Sequence, residues 1–178
     1  PGAVHLAAVG LGSVIFNFLF WAFGFLRMGT TGLVAQAEGR GDRAELARIV
    51  VRSGALALGL GVLLLLAQEV LLAGALAVME APDTVNAITA EYFRIRIWAA
   101  PATLLVYAVT GVLFGQGRSR AVLALQLALN LGNAVLNLWF VVGLGLGVPG
   151  VALGTLLAQW LAALFAIGLL ASAPGMPI

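Results

Sequence analysis

Residues 148–171 read VPGVALGTLLAQWLAALFAIGLLA, a stretch of 24 residues without a single Asp, Glu, Lys or Arg. About 20 mostly apolar residues in an α-helix are enough to cross a hydrocarbon core about 30 Å thick. Four further segments have a similar length and composition, at residues 4–26, 49–79, 92–115 and 121–142. Since only helices and closed barrels can span a bilayer, segments of this length predict an all-α, polytopic transmembrane helix bundle of about five spans.

The composition excludes a soluble protein. Hydrophobic residues make up 62% of the chain and charged residues 9%, with a mean hydropathy of +1.10, whereas soluble domains carry about 25% charged residues. The net charge of +2 does not indicate a nucleic-acid partner, because no basic face remains outside the cytoplasmic loops. Zero cysteines and a single His5 leave no residues for a thiolate or histidine metal site. We expect no metal, no cofactor and no nucleic acid, and membrane lipids as partners.

The nine basic residues, all arginines, predict the orientation of the spans, because cytoplasmic loops retain positive charge. The arginines cluster around the first and third gaps, which are therefore predicted to be cytoplasmic: Arg27, Arg40, Arg43, Arg48 and Arg52, then Arg118 and Arg120. Arg94 and Arg96 fall at the external start of the third span and are interpreted as snorkelling or forming ion pairs there. The second span contains Gln68 and Glu69, where we expect a break or tilt, with Glu69 near the external interface.

Polar side chains inside the spans are candidates for function, since such groups are costly in a membrane. Asn133 and Asn137 lie one turn apart on one face of the fourth span, with Asn130 close to that face. Thr155 lies in the fifth span and Tyr107 in the third. Two interpretations remain open at this point. These groups form a polar pocket, or the amides hydrogen-bond across helices as packing contacts.

Proline and glycine add predictions about helix geometry. Pro101 removes a backbone hydrogen bond within the third span and permits a kink, which serves packing as often as gating. Gly111 with Gly115, and Gly150 with Gly154, are small residues four apart and predict close approach between helices.

Three segments carry a resemblance to a known family. They are FLRMGTTGLVAQAEGRGD at residues 25–42, interpreted as a helix end followed by a polar cytoplasmic stretch, and residues 92–120 and 125–155. In content, order and spacing, the chain resembles the MATE (multidrug and toxic compound extrusion) transporters, specifically their DinF-like branch. The resemblance covers almost the whole chain.

The resemblance implies a twelve-helix fold of two lobes, in which residues 1–178 are helices two to six of the N-terminal lobe and the first helix is missing. It further implies multi-pass insertion in a cell membrane, with a bacterial inner membrane expected. The implied activity is secondary antiport, in which H⁺ or Na⁺ moves inward while cationic or amphipathic organic compounds, such as drugs and toxins, move outward. The missing first helix and C-terminal lobe are implied partners, and we expect the five helices alone to be inactive.

Asn133, Asn137 and Thr155 match positions that line the cation or substrate pocket of the N-terminal lobe in the family, and Asn130 and Tyr107 are possible additions to this cavity. The family commonly has an aspartate at the position of Asn137, and asparagine cannot carry a coupled proton. An amide oxygen can still coordinate Na⁺.

Other functions are weighed against antiport. A flippase for lipid-linked oligosaccharides, from the same superfamily, would need a cavity with several basic residues, and ranks second because the sequence places no arginine deep in a span. A non-transporting membrane scaffold or remnant is favoured by the missing start and the lost aspartate. An enzyme is not expected, because the spans contain no acid pair, Ser/His pair or metal-ligand cluster.

Overall fold

The computed structural model describes residues 2–172, which are helical almost throughout and contain no strand. The helices are α1 (Ala3–Trp21), α2 (Gly24–Gly39), α3 (Arg43–Leu66), α4 (Gln68–Met79), α5 (Asp83–Arg96), α6 (Ala100–Gly115), α7 (Ser119–Leu138) and α8 (Gly147–Ala171). Five helical units are long and apolar enough to cross a membrane: Ala3–Gly39, Arg43–Leu66, Asp83–Gly115, Ser119–Gly143 and Gly147–Ala171. The predicted all-α, five-span bundle is confirmed.

The first unit extends well beyond its predicted end at residue 26. Helix α2 continues from Gly24 to Gly39, so most of residues 25–42 is helical rather than a glycine-rich loop. The reason is tertiary, because α2 packs closely on α6. A Cβ on Gly111 would lie 2.6 Å from the carbonyl oxygen of Arg27, and a Cβ on Gly115 would lie 2.6 Å from Cβ of Val34. The predicted close approach at this glycine pair is therefore present.

The chain reverses direction in the three residues between α2 and α3. Gly41 has φ 68°, a left-handed conformation that glycine adopts without steric cost. Asp42 then caps α3, and its Oδ1 accepts a hydrogen bond of 2.9 Å from the backbone N–H of Glu45. Helix α3 begins at Arg43 rather than at the predicted residue 49 because this cap starts it earlier.

The second predicted span breaks next to Gln68 and Glu69, as predicted. Helix α3 ends at Leu66 and α4 begins at Gln68, so Ala67 separates two helices. In the third unit, α5 begins at Asp83, well before the predicted residue 92. A 3₁₀ turn, Ile97–Ala99, then joins α5 to α6.

Pro101 lies in the first turn of α6, directly after this 3₁₀ turn. A proline is tolerated there, because the first N–H groups of a helix have no partner within the helix. Gly61 of α3 packs against its ring, since a Cβ on that glycine would lie 2.7 Å from the Pro101 nitrogen. Pro101 is therefore part of a helix contact.

Helix α6 lies at the centre of the bundle and contacts α2, α3 and α8. In the helical unit that contains α6, 78% of the most apolar 18-residue stretch is buried, whereas in the unit that contains α7 only 11% of the corresponding stretch is buried. On one side, α1 and α5 meet through Phe16 and Phe93, whose stacked rings are 5.0 Å apart. Helix α7 packs mainly against α8, so only one face of α7 points into the protein.

Candidate functional site

The polar face of α7 meets α8 through a chain of hydrogen bonds. Asn137 Nδ2 donates to Asn133 Oδ1 at 3.0 Å, and Asn133 Nδ2 donates to Thr155 Oγ1 at 3.0 Å. Thr155 in turn donates to the carbonyl oxygen of Val151, one turn earlier in α8, at 2.9 Å. The three predicted pocket residues therefore form one continuous network across two spans.

Gly154 makes this network possible, because the side chain of Asn137 lies directly against it. A Cβ at position 154 would lie 3.0 Å from the backbone nitrogen of Asn137 and would collide with Asn137 Oδ1. The same oxygen is buried and has no hydrogen-bond partner among the described residues. This buried amide oxygen therefore keeps an acceptor that no described group uses.

Two adjoining cavities, of ≈ 560 Å³ and ≈ 300 Å³, lie beside the network. They share a set of lining residues: Arg96, Leu129, Asn130, Thr155 and Gln159. Tyr107 lines the larger cavity, whereas Asn133 and Asn137 line the smaller one. The structure thus gathers the predicted pocket and possible-cavity residues around one space. Pro101 lines neither cavity.

Helix α6 contributes two hydroxyls to the larger cavity. Thr103 and Thr110 line it at a spacing of seven residues, with exposures of 5% and 2%. Neither hydroxyl has a hydrogen-bond partner among the described residues. Buried hydroxyls normally have a partner. Both hydroxyl oxygens are buried within this wall, so they are polar groups that lack a partner among the described residues.

The charged lining of the cavities was missed by the sequence prediction. Arg27 and Arg96 both line the larger cavity. Arg96 Nη1 donates to the hydroxyl of Tyr92 at 2.7 Å, and its guanidinium carbon lies 4.6 Å from the centroid of the Phe16 ring. The ranking of a flippase as second assumed that no arginine lies deep in a span, and the structure adds a half-buried Arg96 and an exposed Arg27 to the cavity lining.

Arg94 behaves as predicted, although it is only two residues from Arg96. It forms an ion pair of 2.9 Å with Glu69 at the surface, donating from Nε and Nη2. Residues two apart on a helix point about 200° away from each other. Helical periodicity was thus the signal that separates the two arginines, since an outward Arg94 turns Arg96 inward.

Neither cavity is lined by an Asp or a Glu among residues 2–172. That part of the chain also holds no cluster of three or more His, Cys, Asp or Glu residues that could bind a metal ion. The described lining is therefore made of arginines, amides, hydroxyls and apolar side chains.

An all-helical bundle with five candidate spans among residues 2–172, and with polar clefts between its helices, is a multi-pass membrane protein of the kind that includes secondary transporters. Residues 2–139 match the model of the MatE family, and the chain belongs to that family. The predicted recognition and the multi-pass membrane location are confirmed.

Relatives with known names support this assignment. The chain is 38% identical over 167 residues to the DNA damage-inducible protein F of Escherichia coli (strain K12), covering 94% of this chain and 36% of that protein. It is 31% identical over 185 residues to a probable multidrug resistance protein NorM of Synechococcus sp., covering 99% of this chain and 38% of the relative. The chain thus spans little more than a third of these relatives.

Solved structures of MATE transporters also support the family assignment. The inward-facing conformation of a multidrug resistance MATE family transporter superposes with a TM-score of 0.90 at 27% identity, covering 97% of this chain and 39% of that one. The outward-facing conformation of such a transporter superposes with a TM-score of 0.87 at 27% identity, covering 96% and 38%. The five-span architecture is therefore the same in both.

Proposed function

We propose that this chain acts within a secondary active exporter rather than an enzyme, moving amphipathic or cationic organic compounds outward as H⁺ or Na⁺ moves inward. In this proposal, residues 1–178 correspond to helices two to six of an N-terminal lobe in a twelve-helix transporter. Family membership supports the proposal, as do relatives that are themselves named multidrug resistance proteins. Membrane lipids, the compound that is exported and the remaining helices of the transporter are the expected partners.

The single observation that carries the coupling part of the proposal is the network of Asn137, Asn133 and Thr155. All three residues line the smaller cavity, and one oxygen of the network, Asn137 Oδ1, is buried without a hydrogen-bond partner among the described residues. Amide and hydroxyl oxygens are suitable ligands for a hard cation. An asparagine has no proton to release in the physiological range. These residues therefore favour Na⁺ over H⁺ as the ion that binds to this network.

Transport requires more than these helices. Alternating access in secondary transporters comes from two repeats that move around a site between them. Since the chain spans little more than a third of its relatives, a second repeat is expected from the remainder of the transporter. We expect residues 1–178 alone to insert into membranes without transporting.

The test uses the longest reading frame that contains this chain, purified and reconstituted into proteoliposomes. Efflux of two fluorescent amphipathic compounds, one cationic and one anionic, is followed under an imposed Na⁺ gradient or an imposed pH gradient. We expect the Na⁺ gradient to drive export, and Asn137→Ala to slow it about tenfold or more through the loss of an oxygen ligand. Leu138→Ala is the matched control, because Leu138 is the next residue on α7 and is 64% exposed.

The outcomes separate the alternatives. Export under the pH gradient alone, with Asn137→Ala at the wild-type rate, contradicts the assignment of the ion to this network. A reconstituted wild-type protein that responds to neither gradient contradicts transport and supports a non-transporting scaffold.

A further inference from the structure

The charge of the cavity lining indicates which ligand the cavity accepts. Arg27 and Arg96 line the larger cavity, Arg96 also lines the smaller one, and no carboxylate among residues 2–172 lines either. Neither arginine has a carboxylate partner in that part of the chain, where the ion pairs shown are Arg48 with Glu45 and Arg94 with Glu69. A concave site with one sign of charge concentrates ligands of the opposite sign. This lining attracts anions and repels organic cations.

Arg96 is held in a geometry suited to an anion. Its Nη1 donates to the Tyr92 hydroxyl, and Phe16 and Tyr92 lie 4.6 Å and 5.6 Å from its guanidinium carbon, measured to the ring centroids. Tyr92 is itself fixed, with 1% exposure and its ring against Gly12. A guanidinium has five N–H donors in a planar fork that matches phosphate oxygens. Most of those donors remain free, so Arg96 can bind an anion with little further ordering.

The other walls suit the remainder of such a ligand. Thr103 and Thr110 belong to this lining, and their buried hydroxyls have no partner among the described residues. Apolar side chains line the same cavity, among them Phe20, Val106 and Leu129. A site with cationic groups, polar side chains and apolar surface in one cavity fits an amphipathic molecule with an anionic head.

We propose that the larger cavity is a binding site for a phosphate group carried on an apolar chain, with Arg96 as the principal anion ligand and Arg27 as a second positive charge. The proposal rests on the transport function proposed above and narrows its ligand to anionic amphiphiles. The chemistry that both sources share is a phosphate oxyanion, whether it belongs to a lipid headgroup or to free phosphate.

The experiment uses the longest reading frame that contains this chain, in phosphatidylcholine nanodiscs. Equilibrium binding is measured for dodecyl phosphate, for dodecyltrimethylammonium of the same chain length, and for inorganic phosphate. The variants are Arg96→Gln, Arg96→Lys and Arg27→Gln. Arg94→Gln is the matched control, because it removes the same charge from α5 two residues away, at a surface site outside the cavity.

We expect dodecyl phosphate to bind more tightly than dodecyltrimethylammonium. Arg96→Gln should weaken dodecyl phosphate binding about tenfold or more, since a charge-assisted hydrogen bond is lost. Arg96→Lys should retain part of the affinity, Arg27→Gln should weaken binding about threefold, and Arg94→Gln should leave it unchanged. Arg27 is exposed, so its variant gives a result even where Arg96→Gln fails to fold.

Two results overturn the proposal: tighter binding of the ammonium compound by the wild-type protein, or unchanged dodecyl phosphate binding in Arg96→Gln and Arg27→Gln. If only the binding of dodecyl phosphate depends on Arg96, the phosphate group belongs to a lipid-like molecule. If the binding of inorganic phosphate depends on Arg96 equally, the ligand is a free anion. Gradient-driven efflux is measured on the same variants. If the wild-type protein shows arginine-dependent binding but no efflux, the result contradicts only the transport function. If it shows efflux but no arginine-dependent binding, the result contradicts only the proposed ligand.

Discussion

Asn137 of α7 lies directly against Gly154 of α8, so that a Cβ at position 154 would come within 3.0 Å of the Asn137 backbone nitrogen. Backbone atoms cannot rotate away as a flexible side chain can. The contact therefore fixes both the distance between the two helices and the position of the one network oxygen that lacks a partner.

Gly154→Ala is expected to push α7 away from α8 and to displace Asn137. Overpacking of this kind costs about 1–3 kcal/mol. The unfolding midpoint in detergent should fall, measured by the thermal loss of the monodisperse size-exclusion peak. Gly168→Ala on the same helix is the control, because a Cβ there meets nothing within 4 Å. Equal midpoints for the two variants would contradict the close contact.

A second glycine pair tests the contact of α3 with Pro101. Gly61→Ala would place a Cβ 2.7 Å from the Pro101 nitrogen, whereas Gly59→Ala meets nothing within 4 Å. We expect Gly61→Ala to lower the unfolding midpoint. Gly59→Ala should be neutral or stabilising, because alanine favours the helix by about 0.5–1 kcal/mol over glycine. The unfolding midpoints of both variants are measured by the same thermal assay. A higher midpoint for Gly61→Ala would contradict the packing of α3 on α6.

Asn137→Asp is expected to change the ion dependence of transport. A carboxylate beside Asn133 and in a buried network can be protonated and released, whereas the amide cannot. Export in proteoliposomes should therefore gain a response to an imposed pH gradient that the wild-type protein lacks. A variant with unchanged gradient dependence would show that position 137 takes no part in coupling.

The orientation of the spans can be measured directly with single cysteines in residues 1–178, which contain no cysteine of their own. Ser119→Cys lies at the loop with Arg118 and Arg120 and is predicted to be cytoplasmic, whereas Asp83→Cys begins α5 on the predicted external side. A membrane-impermeant maleimide added to intact cells should label only Asp83→Cys. Labelling of Ser119→Cys alone would reverse the predicted topology.

Several features could be predicted from the sequence because they depend on short stretches of chain. The five spans follow from the length of the apolar segments, and the break near Gln68 follows from polar residues within one of them. The shared face of Asn133 and Asn137 follows from helical periodicity, and the structure joins both residues by a hydrogen bond. The network to Thr155 required the second helix to be in place.

The limits of the helices were harder to predict, because packing extends them. Helix α2 reaches Gly39 through a glycine-rich segment because it packs on Gly111 and Gly115 of α6. Helix α5 begins at Asp83, nine residues before the predicted start at residue 92, and contacts α1 and α8. Hydropathy records only the part of a helix that is apolar, whereas these extensions are polar or mixed.

The sequence by itself determined that this is a multi-pass helical membrane protein with an amide-rich face on its fourth span. Only the tertiary structure decided that Arg96 points into the cavity, that Asn137 is placed by Gly154, and that no described carboxylate lines the site. The physical reason is that these spans are apolar nearly all round. Their sequences therefore carry little information about which face meets lipid and which meets another helix.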